Sequence, residues 1–376
     1  MKVVVLRSNP VNPDPRIEKE VNSLSMHGHS VTIVCWDRSG ALPKKDFLHL
    51  DEVKIPIYRG GKKASFGGGF KSILKLIDFQ FFLLRWLLIN RSSYEVIHAA
   101  DFDTVLPAML MKILFKKKVV YDIFDFYVDA FTVPNILKGI IRGLDCKVIN
   151  NADAVIITNE ARLEQISGAF PKKIVVIHNS PAESSMSTFS TEIQGPVSPY
   201  VYTFAYVGIL QPGRLLVELL ELFANRPEWL FKIAGFGALD EIVKSYASKY
   251  NNIQYYGLVQ YNDGLKISAS ADFLFATYDP GVPNHKYSSP NKLYEAMLLS
   301  KPIIVCKNTG IDIIVDNAHI GISINYSAKE FEKVVDVNLA EIKTRSRMGE
   351  RSKEIFLQHY SWEIMEGRLV ELYNNI

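Results

Sequence analysis

Three charged side chains in the second half of the sequence are of the types that bind phosphate and sugar. Arg214 ends the run YVGILQPGR, and Lys292 and Glu295 lie three residues apart in SSPNKLYEAMLLSKPIIV, residues 288–305. An arginine can bind a phosphate through two hydrogen bonds, and a lysine adds a full positive charge. A carboxylate one turn further on can accept hydrogen bonds from sugar hydroxyl groups. The alternatives are a surface arginine in an ordinary turn and a solvated ion pair.

The stretch around Lys292 and Glu295 also predicts the helix that positions them. Ser289 is a good N-cap and Pro290 suits the first helical position, with an apolar stripe following. Lys292 and Glu295 then project from one side of the first two turns. Because bare N–H groups at a helix N-terminus attract phosphate, the predicted helix start is itself a candidate anion site.

Glycines at the ends of two predicted strands indicate close approach of a ligand to the backbone. Gly208 follows the apolar run before Arg214, and Gly235 and Gly237 end the run FKIAGFG, where a flat base could lie against main chain. A single GxG is weak evidence. The dinucleotide fingerprint GxGxxG follows none of the predicted strands, which argues against NAD chemistry.

The elements that carry these residues alternate between apolar, strand-like runs and helical periodicity, which predicts doubly wound parallel sheets. The predicted strands are 3–7, 31–35, 53–58, 95–98, 118–122, 153–158, 174–178, 201–207, 230–234, 253–256, 272–276, 302–306 and 320–324. The predicted helices are 15–28, 70–90, 102–115, 135–150, 159–168, 213–225, 238–250, 260–270, 290–300 and 309–316, with a helical tail from 327 to 376.

A Ser-, Thr- and Pro-rich stretch interrupts this alternation and predicts two domains. We assign residues 1–180 to a first Rossmann-like domain, 181–199 to a linker and 200–360 to a second Rossmann-like domain. Two such domains predict a cleft at the carboxyl ends of both sheets, where open α/β sheets bind ligands.

Composition sets the broad class. The chain of 376 residues has 48% hydrophobic and 22% charged residues, as globular proteins do. Its three cysteines lie far apart, and its N-terminus reads as a strand without a signal peptide, so we expect a cytoplasmic location.

Residues 1–180 hold 25 Lys and Arg against 18 Asp and Glu, whereas the remainder holds 18 against 22. The basic first half suggests an anionic partner, and no motif indicates nucleic-acid binding.

Taken in order along the chain, these segments resemble family 4 retaining glycosyltransferases, which have the GT-B architecture. The resemblance is carried by YVGILQPGRLLVELLEL, FKIAGFG, SSPNKLYEAMLLSKPIIV, NPDPRIEKEVNSLSMHGHSVTIV, VVYDIFDFY, IHNSP and MGERSKEIFLQHYSWEIMEGRLVELY, which together extend over essentially the whole chain. It implies an acceptor-binding first domain, a nucleotide-sugar-binding second domain and a C-terminal helix, 361–376, that crosses back to the first.

The resemblance also implies roles for the residues of the second domain. Arg214 resembles the arginine that neutralises the diphosphate leaving group, with Lys292 assisting, and Glu295 resembles the glutamate that holds the ribose. The backbone positions implied to border the donor nucleotide are Gly208, Gly235, Gly237, Ser289 and Asn291. The nucleotide diphosphate sugar, for example a UDP-sugar, is then a substrate; no cofactor and no metal are expected.

Two departures from the family pattern concern the transferred sugar. The family's first glutamate would fall at position 287, where this chain has Tyr287, so Asp279 is a candidate for the missing contact. Tyr287 is itself a further candidate for contact with the sugar or acceptor. The family often has a histidine where this chain has Phe124, and Asp125 is the candidate to replace it in catalysis or in positioning the sugar.

Further residues of the first domain remain open. Arg16 and His98 are candidates for contact with the sugar or acceptor, although a structural histidine is an equal alternative at position 98. The motif DFD, residues 101–103, could chelate a metal in a different glycosyltransferase fold, but Asp101 or Asp103 as a helix N-cap fits this chain better.

The segment 66–91 raises the question of a membrane. Its apolar run from residue 73 to 89 is interrupted by Lys75, Asp78 and Arg85, so a spanning helix is improbable. The choice is between a core helix and a helix partly inserted at a membrane interface. The resemblance implies an acceptor that is often lipid-linked, which suits peripheral contact with the cytoplasmic face of a membrane.

The sequence favours transfer of a sugar to a membrane-associated glycan or glycolipid in cell-surface polysaccharide biosynthesis. Two alternatives stay open. One is a nucleotide-sugar 2-epimerase, which shares the architecture but needs acid/base groups that we cannot place. The other is a non-catalytic GT-B subunit that binds a glycan or a partner enzyme. The two departures from the family pattern leave this alternative open.

Overall fold

The computed structural model describes residues 1–50, 53–64, 73–130, 133–183, 199–339 and 341–376. The chain divides into two compact units. Unit 1 comprises Met1–His178 and Met365–Ile376, and unit 2 comprises Asn179–Ile364.

The described residues of unit 1 form a sheet of eight strands. They are β1 Lys2–Arg7, β2 Ser30–Trp36, β3 Lys45–Leu50, β4 Val53–Gly60, β5 Val96–Ala100, β6 Lys118–Ile123, β7 Ala154–Ile157 and β8 Ile174–Val176. The order across the sheet is β3-β4-β2-β1-β5-β6-β7-β8, and the described pairs are parallel except the β3–β4 hairpin. The strand order reverses between β1 and β5, which is where doubly wound sheets bind ligands beyond their carboxyl ends.

The helices of unit 1 are α1 Pro15–Met26, α2 Ile73–Ile89, α3 Phe102–Phe115, α4 Tyr127–Ala130, α5 Asn135–Asn151 and α6 Arg162–Gln165. Asp14 caps α1 by accepting a hydrogen bond from the backbone N–H of Ile17. A core of buried apolar side chains from β1, β2, β5, β6, β7 and helices α2, α3 and α5 fills one side of the sheet.

The described part of unit 2 has a sheet of six parallel strands, β9 Tyr202–Ile209, β10 Trp229–Phe236, β11 Ile253–Tyr255, β12 Phe273–Ala276, β13 Ile303–Cys306 and β14 Gly321–Ile324. Their order is β11-β10-β9-β12-β13-β14, so the order reverses between β9 and β12. The helices are α7 Leu216–Ala224, α8 Asp240–Lys249, α9 Tyr261–Ala269, α10 Asn291–Leu298, α11 Ile311–Ala318, α12 Ala328–Asn338 and α13 Ile342–Ile355. A 3₁₀ turn, Pro283–Tyr287, precedes α10, and a short π-helix, Phe356–Tyr360, follows α13.

The last helix, α14 Trp362–Asn374, starts in unit 2, and its residues from Met365 onward belong to unit 1. There the phenol of Tyr373 meets Nδ1 of His98, at 2.8 Å. Among the described residues, the structure holds no helix with the length and apolar character needed to cross a bilayer.

The predicted doubly wound α/β class is confirmed, and each predicted strand has its counterpart. The sequence did not predict β3, and it overestimated the helix at 159–168, of which only the turn Arg162–Gln165 forms. The predicted linker 181–199 lies mostly outside the described residues, and the domain limits stay a prediction.

Candidate functional site

The carboxyl ends of β9 and β10 carry glycines that allow the two backbones to approach closely. Gly208 of β9 pairs with Gly235 of β10, and a Cβ on Gly235 would overlap the carbonyl oxygen of Gly208. Gly235 has φ +144°, and Gly237, with φ +154°, is packed in the same way on the carbonyl of Leu210. Side chains are excluded at these positions because no L-residue fits the φ or the space.

Lys292 is placed directly against this backbone. A Cβ on Gly208 would lie 2.5 Å from Nζ of Lys292, and the same ammonium lies 4.4 Å from the centre of the Tyr206 ring. Burial lowers the pKa of Lys292 to about 8; the nearby Glu295 carboxylate opposes this shift, and Arg214 adds to it. The structure thus brings together three of the predicted side chains, Arg214, Lys292 and Glu295. Two of them, Arg214 and Lys292, are cations near the carboxyl end of β9.

Arg214 is held by three groups. Its guanidinium stacks on the ring of Tyr278, 3.8 Å from the ring centre, and its Nη1 lies 3.1 Å from Nε2 of His285. Its carbonyl oxygen accepts a hydrogen bond from the hydroxyl of Thr277, at 2.7 Å. A planar cation fixed in this way can present a flat edge to phosphate oxygens.

Glu295 lies on the buried face of α10, one turn from Lys292. Burial raises the pKa of the Tyr261 phenol, and the charge of Glu295 and a hydrogen bond to it raise that pKa further. Tyr261 therefore stays protonated and donates to the carboxylate. This fixes one oxygen of Glu295 and leaves the carboxylate able to accept from a ligand as well.

The predicted helix start needs a correction of one residue. Helix α10 begins at Asn291, and Pro290, with φ −69° and ψ 135°, occupies the N-cap position that we expected Ser289 to fill. The Ser289 hydroxyl instead lies 2.9 Å from the hydroxyl of Tyr294. A proline carries no side-chain acceptor, so no side-chain hydrogen bond caps this helix start, whose backbone N–H groups can face an anion.

Asp279, the candidate to replace the family's first glutamate, and Tyr287, which stands at that glutamate's position, lie in the loop between β12 and α10. Asp279 accepts a hydrogen bond from the N–H of Gly281, at 2.8 Å, and its own N–H donates to Gly213. Tyr287 ends the 3₁₀ turn, with the Lys286 ammonium 5.2 Å from its ring centre. Their contact with a sugar stays a prediction.

In unit 1, the ring of Phe124 lies close to two guanidinium groups. Arg7 is 4.0 Å and Arg16 is 4.6 Å from its ring centre. The backbone N–H of Phe124 donates to Asp101, at 2.9 Å, whose other oxygen forms an ion pair of 2.5 Å with Arg7. An aromatic side chain suits this position because it carries no positive charge that would repel the guanidinium groups of Arg7 and Arg16.

Asp101 and Asp103 were predicted as helix N-caps or, less favourably, as metal ligands. Asp101 does occupy the N-cap position of α3, but its side chain makes no capping hydrogen bond. Asp103 faces Arg38, at 3.8 Å. Each carboxylate therefore has an arginine partner, as structural ion pairs do.

Asp125, the predicted catalytic carboxylate, forms an ion pair with Arg162. The distance from Nη2 of Arg162 to Oδ1 of Asp125 is 3.0 Å, and the guanidinium also binds Gln165 and Thr158. Arg162 is buried, whereas the side chain of Asp125 is 48% exposed. The carboxylate is thus oriented by a fixed cation and is half exposed to solvent, and its catalytic role stays a prediction.

Arg16 and His98 lie in a buried cluster with two acids. Arg16 forms ion pairs of 3.0 Å with both Glu20 and Asp122, and Nε2 of His98 lies 3.4 Å from Asp122. Burial raises the pKa of Glu20 to about 7, and the neighbouring Asp122 contributes to that shift. Although Glu20, His98 and Asp122 are close enough to share a cation, the cation in contact with both carboxylates is Arg16. Sugar or acceptor contact by Arg16 or His98 stays a prediction that this burial does not favour.

The sequence did not single out His285, Tyr261 or Arg162. Of these three residues, only His285 could have been identified from the sequence, because it is a histidine in the loop that follows a predicted strand of the site. Its partner Arg214 is 71 residues away in the chain, and nothing in the local pattern pairs the two.

Comparisons with known proteins bear on the family and the fold. Residues 14–180 match the family described as glycosyl transferase 4-like domain. No curated protein sequence matches the chain. Sucrose-phosphate synthase (tll1590) from Thermosynechococcus elongatus has a similar structure, with a TM-score of 0.78, 16% identity and coverage of 100% of this chain and 99% of that one.

Two further solved structures share the fold over nearly their full lengths. Anabaena Alr3699/HepE in complex with UDP-glucose has a TM-score of 0.73, 14% identity and coverage of 100% of both chains. A glycosyltransferase from Rickettsia africae has a TM-score of 0.71, 13% identity and coverage of 100% of this chain and 98% of that one.

The fold is therefore GT-B, the class expected from the sequence, and the match of residues 14–180 agrees with the predicted resemblance to family 4 glycosyltransferases.

Proposed function

We propose that the protein transfers a sugar from a nucleotide diphosphate sugar to a membrane-associated glycan or glycolipid, with retention of anomeric configuration and without a metal. The observation that carries the proposal is the grouping of Arg214, Lys292 and Glu295 around the glycine backbone of β9 and β10. Cleavage of a glycosyl–phosphate bond builds negative charge on the departing diphosphate. Two fixed cations and the N-terminus of α10 would stabilise that charge as it forms.

Glu295 has the chemistry to hold the ribose. Its carboxylate is fixed by Tyr261 and can accept hydrogen bonds from the two vicinal hydroxyls of a nucleoside. The glycines at positions 235 and 237 leave the backbone bare for a base. UDP is the first nucleotide to test, because the Anabaena structures of similar fold were determined with UDP and UDP-glucose.

The roles on the acceptor side follow from the sequence expectations. We assign Asp125 to orientation of the transferred sugar or the acceptor, with Asp279 and Tyr287 as further contacts. The place of action is the cytoplasm, with peripheral contact between unit 1 and the cytoplasmic face of a membrane. The basic balance of residues 1–180 supports this placement.

The test is calorimetric titration of the purified protein with UDP, GDP, CDP and dTDP. We expect one diphosphate to bind, and we expect Glu295→Ala to abolish that binding. Glu241→Ala, which removes an exposed carboxylate on α8, is the matched control and should bind as the wild type does.

The outcomes separate the candidate functions. Silence from all four diphosphates would overturn the proposal and favour the non-catalytic subunit. If one binds, the matching nucleotide sugars are incubated with a membrane lipid extract, with and without EDTA. The anomeric configuration of the product is then read by NMR; inversion or a loss of activity with EDTA would contradict the proposed reaction.

A further inference from the structure

Helices α2, α3 and α5 form one layer on the sheet of unit 1. Helix α2 packs on α3, and α3 packs on α5. Their inner faces contribute to one core, to which α2 gives Phe79, Leu83 and Leu87 and α3 gives Val105, Ala108 and Met111. These positions recur at three- to four-residue spacing, so each helix has a second face directed away from the core.

The outward faces are apolar. Leu74 is 77% exposed and Ile136 is 86% exposed, although both are large aliphatic side chains. The other exposed large hydrophobic side chains of the layer are Ile77, Phe81 and Ile89 on α2, Leu110, Ile113, Leu114 and Phe115 on α3, and Leu137, Ile140 and Leu144 on α5. A Cβ on Gly139 or Gly143 of α5 would meet nothing within 4 Å, so the surface around these glycines is uncovered.

The acidic side chains of the three helices are buried or paired, whereas their exposed charged side chains are basic. The acids are turned inward or paired: Asp103 and Asp145 are buried, and Asp78 forms an ion pair with Lys62, at 3.1 Å. The exposed charged residues of α2 and α5 are all cations, namely Arg85, Lys138 and Lys147. The outward face therefore combines aliphatic and aromatic side chains with positive charge.

We propose that this outward face of α2, α3 and α5 docks unit 1 on an anionic lipid bilayer. The apolar stripes would enter the boundary between headgroups and acyl chains, and the basic side chains would contact anionic headgroups. Helix α2 is 17 residues long and carries three charged residues, so it lies in the interface and does not span it.

A second copy of this chain fits the face less well. A two-fold contact would place the same patch against itself, so Lys138 and Lys147 would face cations with no exposed acid on the three helices to pair with them. Anionic headgroups complement the same charges. This inference extends the proposed membrane contact, but vesicle binding is measured without any nucleotide and is separate from sugar transfer.

The test is flotation of the full-length protein with phosphatidylcholine vesicles, with and without phosphatidylglycerol. We expect binding only to the anionic vesicles, with a loss as salt is raised. Lys138→Glu/Lys147→Glu should lower the partition coefficient by at least about tenfold, since each basic residue near the surface contributes about fivefold. Ile136→Ser/Ile140→Ser should lower it by at least about tenfold as well, because two large aliphatic side chains no longer enter the interface.

Matched controls come from unit 2. Ile313→Ser/Val337→Ser removes exposed aliphatic side chains from α11 and α12, and Lys329→Glu/Lys333→Glu reverses two exposed charges on α12. Both controls should float as the wild type does. All of these changes are at exposed positions, where substitutions seldom alter folding, and circular dichroism verifies each variant.

Each outcome decides a separate point. A wild type that ignores all vesicles overturns the membrane contact altogether. A wild type that floats together with the α5 variants overturns the assignment of the surface. Light scattering supplies the third readout: a solution dimer that Ile136→Ser/Ile140→Ser dissociates would assign the face to self-association and overturn the proposal. Titration of the same variants with UDP should match wild type, so a failure of donor binding is seen independently.

Discussion

The imidazole of His285 fixes the guanidinium of Arg214 through a defined tautomer. Nδ1 of His285 lies 2.9 Å from the carbonyl oxygen of Asp279, and Nε2 lies 3.1 Å from Nη1 of Arg214. Because a carbonyl oxygen can only accept, Nδ1 must carry the proton. Because a guanidinium can only donate, Nε2 must accept. Both contacts are satisfied together only by a neutral imidazole, which makes His285 a positioning residue for Arg214.

This arrangement predicts a loss of phosphate binding in His285→Phe. The ring is kept but the acceptor for Arg214 is removed, so the guanidinium loses its fixed orientation. We expect the affinity for UDP to fall by about tenfold, the size of one hydrogen bond to a charged group. Affinity for uridine should not change, because the nucleoside has no phosphate. Calorimetry with both ligands makes the comparison.

His285→Gln is the control for that prediction. Its amide oxygen can stand where Nε2 accepts from Arg214, so part of the UDP affinity should return. A purely structural role for His285 would instead weaken UDP and uridine together in His285→Phe. Such a parallel loss would contradict the positioning role.

The buried ammonium of Lys292 should favour binding of the donor diphosphate but lower the stability of the folded protein. Its pKa in the folded protein is about 8, below the 10.5 of an unfolded chain, so the buried ammonium costs stability below about pH 8. That cost is relieved as the pH rises toward 10.5. Lys292→Met should therefore be about 1–2 kcal/mol more stable than wild type at pH 7, less than the full shift because the side chain is partly exposed.

Urea unfolding at pH 7 and pH 10 measures this difference, which should shrink at the higher pH. Lys329→Met, at an exposed position on α12, should show no such change between the two pH values. UDP affinity of Lys292→Met should fall at pH 7. A variant that is less stable than wild type at pH 7 would show that the ammonium is not destabilising where it lies.

The order of elements was legible in the sequence because buried parallel strands are continuous apolar runs. Val96–Ala100 and Ile303–Cys306 are buried along their whole length, and both were predicted. The strand Lys45–Leu50 was missed because it is an edge strand of mixed composition, KDFLHL, with most of its side chains exposed. Nothing in its local pattern separates it from a loop.

The same reasoning explains what could be predicted of the site. Arg214, Lys292 and Glu295 were predicted because each lies beside a strand end or a helix start that the sequence marks. The pairing of Asp125 with Arg162 joins residues 37 apart and depends on how strand ends meet across the sheet. Such pairings are set by tertiary packing, which propensity and periodicity do not encode.

The effect of replacing a glycine by alanine on stability should depend strongly on its position, and Gly235 and Gly139 are the two extremes. Gly235→Ala would place Cβ on the carbonyl of Gly208 at a φ of +144°, so β9 and β10 could not pair as they do. We expect a loss of more than about 3 kcal/mol, or failure to fold. In Gly139→Ala the methyl group meets open space in the middle of α5, and the variant should gain about 0.5–1 kcal/mol. Thermal unfolding of both variants tests this contrast, and equal effects would contradict it.

The last prediction concerns the buried carboxyl of Asp145, whose Oδ1 accepts a hydrogen bond from the phenol of Tyr121, at 2.9 Å. Burial raises its pKa to about 7, against 3.8 in an unfolded chain. The stability that this carboxyl contributes is therefore present in full below about pH 4 and is lost as the pH rises through 7. Asp145→Asn keeps the acceptor and never ionises. Relative to wild type it should gain on the order of 2 kcal/mol between pH 5 and pH 8 in urea unfolding. Asp263→Asn, at an exposed position on α9, should show no difference between the two pH values. A constant offset for Asp145→Asn would mean that the carboxyl does not titrate in this range.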